Sequence, residues 1–74
     1  MKNLVYKALL AEAEAEKAEA IAVLHTYMHH AVGIGEHPQI IEEAKKHLSK
    51  LADAEDRLQT LRFFFNEQGQ LKDK

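Results

Sequence analysis

The chain has 74 residues, room for one small domain and no more. Apolar residues make up 46% and charged residues 30%, a globular rather than a disordered balance. There is no cysteine, which excludes disulfides and thiolate metal centres; the formal charge of −2, with no basic run beyond Lys45-Lys46, argues against a surface built to neutralise nucleic-acid phosphates. Protonating all five histidines would move that charge from −2 to +3. No segment has the ~20 apolar residues of a membrane span. Residues 1–6 lack a signal-peptide apolar region, so a cytoplasmic location is the expectation.

Residues 4–32 contain nothing that breaks a helix, and Ala, Glu, Leu and Lys dominate them. The spacing predicts a first helix over about 3–32. Gly33-Ile34-Gly35-Glu36-His37-Pro38 then reads as a stop followed by a start. Gly33 suits the left-handed position after a helix end, Gly35 adds to the break, and Pro38 suits the first turn of the next helix. The turn is assigned to 33–37 and a second helix to about 38–67. Gly69 is read as its end, with a frayed tail in the last residues of 68–74. Each arm is ~30 residues, or ~45 Å. A turn this short makes the arms antiparallel neighbours. The fold class expected is all-α: an antiparallel two-helix hairpin, dimerising into a four-helix bundle of coiled-coil type.

Helix two carries an apolar seam at Ile40/Ile41, Ala44, His47/Leu48, Leu51, Ala54, Leu58, Leu61 and Phe65. Helix one is assigned the seam Leu4, Ala8, Ala11, Ala15, Ala18, Ile21/Ala22, His25 and Met28, so that small residues face large ones. The register that follows pairs Leu4 with Phe65, Ala18 with Leu51 and Met28 with Ile41. It sets Glu12 near Arg57, Lys17 near Asp53 and Glu19 near Lys50. A second apolar face of helix one, Tyr6, Leu10, Ala13, Ala20, Leu24 and Tyr27, is nearly palindromic and is assigned to a two-fold homodimer contact. Lys17 at the proposed dyad counts against that contact.

Few residues point to chemistry. His25 and His29 stand four apart, a metal-chelating spacing, and the register brings His47 within about a turn of them. A His25–His29–His47 metal site is therefore the alternative reading, and protonation of these histidines at an interface a further one. No Ser-His-acid arrangement, phosphate loop or cofactor motif is present, and no enzyme activity or cofactor is expected. Phe63-Phe64-Phe65 cannot put all three rings on one face; Phe65 fits the seam, leaving Phe63 and Phe64 for an interface. The function expected is a non-enzymatic, homo-oligomeric helical scaffold or adaptor. It would touch another protein through Ile34, His37, Phe63 and Phe64, and would bind neither nucleic acid nor membrane.

The run Val32-Gly33-Ile34-Gly35-Glu36-His37-Pro38, followed by Ile41-Glu42-Glu43 and Ala54-Glu55-Asp56, resembles short uncharacterised helical proteins of marine tailed phages and ocean metagenomes. The resemblance covers about half the chain and implies a source, not a mechanism.

Overall fold

The computed structural model describes residues 2–29 and 39–72. Two helices, α1 (Leu4–His29) and α2 (Gln39–Phe64), pack side by side. The expected turn, with Gly33, Ile34, Gly35, His37 and Pro38, lies outside the described residues. The molecule is a rod: its radius of gyration is 16.3 Å, against about 11 Å for a compact domain of this length.

Asn3 starts α1. Its side-chain Oδ1 accepts the Tyr6 amide at 2.9 Å and its carbonyl accepts the Lys7 amide, so the first helical turn is capped. The Ala- and Glu-rich sequence carries the helix on to His29. In α2, Glu42 in the first turn and Arg62 in the last complement the helix dipole.

α2 packs through the seam read from its sequence, resolved in favour of Ile40 over Ile41 and His47 over Leu48. Ala54 and Leu58 are fully buried, while Ile41 and Leu48 are exposed. On α1 the assignment of faces is reversed. Ala13, Ala20 and Leu24 are buried, and Tyr6, Leu10, Lys17 and Tyr27 are half-buried. The face assigned to a dimer is therefore the inside of the hairpin. Tyr6, Leu10, Ala13, Lys17, Ala20, Leu24 and Tyr27 follow one another at alternating steps of four and three, the spacing of a coiled-coil seam. The face assigned to α2 points outward: Leu4 is 77% and Met28 70% exposed. The reason is area. Two tyrosines and two leucines remove far more apolar surface from water than a row of alanines, at about 25 cal/mol per Å2.

Ion pairs along the flanks show the register. Arg57 meets Glu16 where the sequence register put Glu12, a slip of one helical turn. Lys17 bonds Glu55 at 2.8 Å instead of Asp53, and Arg62 meets Glu14 at 2.7 Å. Lys17 thus sits on the packed seam and reaches sideways to an acid of its own hairpin, leaving no charge at a dyad.

The C-terminal segment is folded back rather than frayed. α2 stops at Phe64, three residues short of Glu67, and the chain reverses around Asn66. The Asn66 Oδ1 accepts the amides of Gln68 and Gln70 at 3.0 and 2.9 Å, the local bonding by which Asn competes with helix. Gly69 does not end the helix; it turns this loop at φ 77°. Phe65 and Leu71 form an antiparallel bridge, and the Lys72 amide donates to the Phe64 carbonyl at 2.9 Å. The Lys72 ammonium donates to the Arg62 carbonyl. Carbonyls that a helix end leaves unpaired are thereby satisfied. The Asn3 amide donates to the Glu67 carbonyl at 3.0 Å, so the loop also holds the start of α1.

Candidate interaction surface

The end of the rod where α1 begins and α2 stops carries most of the large exposed apolar side chains among the described residues. Phe65 occupies the seam, so its two predecessors point away from α1: Phe63 is 73% exposed and Phe64 49%. Their rings stand edge to face, 4.9 Å apart, an arrangement aromatic pairs favour. Leu4, Val5, Leu9 and Leu71 are exposed at the same end. Beside them lies a shallow, largely apolar cleft of about 180 Å3, lined by Asn3, Val5, Tyr6, Leu9, Leu61 and Phe65. Its floor is fixed by the Asn3 cap and by Gly69, whose missing Cβ would stand 2.8 Å from the Asn3 Cγ.

A second cleft, of about 340 Å3, lies midway along the rod between Glu16, Glu19, His47 and Lys50. It is polar, and Glu16 is committed there. The hydrogen bond from Arg57 holds the Glu16 carboxyl below the usual glutamate range. Glu55 is lowered in the same direction, first by its bond to Lys17 and then by Gln59. Arg57 is correspondingly raised by Glu16. Carboxylates held ionised are tuned away from the work of a general acid at neutral pH.

The histidine cluster expected from the sequence does not assemble. His25 and His29 lie side by side on the exposed flank of α1, ring centroids 4.3 Å apart. His47 belongs to the packed seam and faces Tyr27 edge-on at 6.0 Å. The slipped register sets His47 level with Tyr27, between His25 and His29 along the rod, and it is the face that separates them: His47 lies on the packed seam and the pair on the outer flank. Among the described residues no group of three or more His, Cys, Asp or Glu side chains is placed to hold a metal ion. Nor is any helix of the described residues long and apolar enough to cross a membrane.

Sequence reasoning missed Asn3 and Asn66 and assigned Gly69 to a helix stop; together these three shape this end. The signals were present: an Asn directly before the first helical residue, and an Asn followed three residues later by Gly. No family model, no curated protein and no solved structure matches the chain.

Proposed function

We propose that this chain is a non-catalytic helical interaction module, working as a homo-oligomer and binding another protein through the Phe63–Phe64 end. The observation that carries the reading is exposed apolar surface: among the described residues Leu4, Val5, Met28, Phe63 and Leu71 are each two-thirds or more exposed, and apolar surface left open in this way marks interaction sites. It falls mainly in two regions. Leu4, Ala8, Ala11, Ala15, Ala18 and Ala22 run along the outer side of α1, opposite the packed seam; that side is open to a second copy. The aromatic pair at the rod's end offers an anchor of the kind that dominates protein interfaces. A phage-type source, as the turn motif implies, is compatible with this reading and adds no mechanism.

Sedimentation at micromolar concentration tests self-association, with twice the 8.4 kDa chain mass expected. A folded, strictly monomeric species would remove that half of the reading. For partner binding, wild type and the double substitution Phe63→Ser/Phe64→Ser are compared as baits in a lysate of the source cells. Saturable capture of one protein by the wild type, lost in the double variant, is expected. Equal capture by both baits would show that the aromatic end is not the binding surface.

A further inference from the structure

We propose that His25 and His29 form a two-histidine chelate for a late first-row transition-metal dication, copper(II) above all, with water completing the coordination shell. The proposal is independent of protein binding at the aromatic end; His25 continues the outer stripe of α1 on which self-association is proposed, and the stoichiometry below separates the two. Two imidazoles bound cis to one ion, each at about 2.1 Å, place their ring centroids about 4.5 Å apart, since each centroid lies ~1.1 Å beyond its ligating nitrogen. The His25 and His29 centroids are 4.3 Å apart, with planes inclined by 37°. Both side chains are exposed, so rotation of each ring to aim a nitrogen at a common point meets no packing cost. The backbone already supplies the spacing, because residues four apart on a helix are neighbours on one face.

Nitrogen donors without thiolate or carboxylate select by the general affinity order of divalent ions, in which copper(II) stands highest. Among the described residues the pair is the whole ligand set, because His47 faces Tyr27 on the packed seam.

Titration calorimetry of the full chain with copper(II), nickel(II) and zinc(II) chlorides, in a non-coordinating buffer at neutral pH, tests this. One ion per chain is expected, with copper tightest. His25→Ala and His29→Ala should each weaken copper binding at least tenfold, whereas His47→Asn, His30→Asn and His37→Asn should leave it within twofold. All the substituted chains are checked for unchanged helix content by circular dichroism. With zinc, the imidazole NMR signals of His25 and His29 should shift together while those of His47 stay in place. Copper binding that persists in the His25→Ala/His29→Ala double variant overturns the assignment. So does an equal loss on changing His30, His37 or His47, or a stoichiometry of one ion per two chains with metal-dependent doubling of mass.

Discussion

Gly69→Ala should destabilise the protein far more than an exposed loop substitution ordinarily does. Gly69 has φ 77°, and an L-residue held in the left-handed region costs about 1–2 kcal/mol. The added methyl would also stand 2.8 Å from the Cγ and 3.0 Å from the Nδ2 of Asn3. That side chain is the cap of α1, accepting the Tyr6 amide at 2.9 Å. Pushing it aside forfeits a capping bond worth ~1 kcal/mol. The sum, about 2–3 kcal/mol, is a large share of the ~4–11 kcal/mol expected for a chain this size. Urea unfolding followed by far-UV circular dichroism, at one fixed chain concentration, measures it. Asn3→Ala alone should cost about 1 kcal/mol. The double substitution should cost less than the two single effects added, because removing the Asn3 amide removes most of what the new methyl strikes. A Gly69→Ala protein within 0.5 kcal/mol of wild type, or strict additivity with Asn3→Ala, would refute the link between the returning loop and the α1 cap.

Leu58, fully buried, should cost about 2–5 kcal/mol on truncation to Ala, whereas Leu48→Ala, at an exposed site, should stay within about 0.5 kcal/mol; equal losses in urea melts would misplace the seam. Ala13→Leu should lower stability by about 1–3 kcal/mol through overpacking because Ala13 is 1% exposed, while Ala15→Leu, on the outer side, should leave the hairpin's packing undisturbed. The reverse order in thermal melts of dilute samples would restore the face assignment read from the sequence. Glu16 and Glu55 are held below their ordinary value of 4.5 by Arg57 and Lys17. Their contribution is therefore full above that pH and falls away as pH drops through the lowered values. Acid titration of the melting temperature should show Glu16→Gln flattening the loss below pH 4.5; an unchanged profile would remove Arg57–Glu16 as its source.

The α2 seam was legible because α2 is amphipathic in the ordinary way: Ile40, Ala44, Leu51, Ala54, Leu58, Leu61 and Phe65 form one stripe, and mostly charged residues fill the rest. α1 was not legible because two stripes obey the same spacing on opposite sides, one of alanines and one of Tyr6, Leu10, Leu24 and Tyr27. Periodicity cannot choose between them; buried area can, and it selects the larger side chains. Lys17 misled the reading, because a cation at a seam position looks like a fault until Glu55 is seen 2.8 Å away. The end loop was lost to a single assumption, that Gly69 stops a helix. Asn66 stops it instead, by offering its side chain to the amides of Gln68 and Gln70.

The two stripes of α1 also bear on why the molecule would seek a second copy. Among the described residues the fully enclosed apolar ones are Ala13, Ala20, Leu24, Ala54 and Leu58; three of the five are alanine. Alanines let the helices approach closely but bury little area each, so the seam fixes geometry better than it supplies stability. Ion pairs at Glu14, Glu16 and Glu55 line its edges and remain in contact with water, where such pairs contribute little. A 74-residue chain without disulfides has few other sources of stability inside itself. The unused side of α1, with Leu4 at one end and alanines along its length, can add apolar burial without disturbing the seam. Self-association there would leave Phe63 and Phe64 at the rod's end free for a different partner.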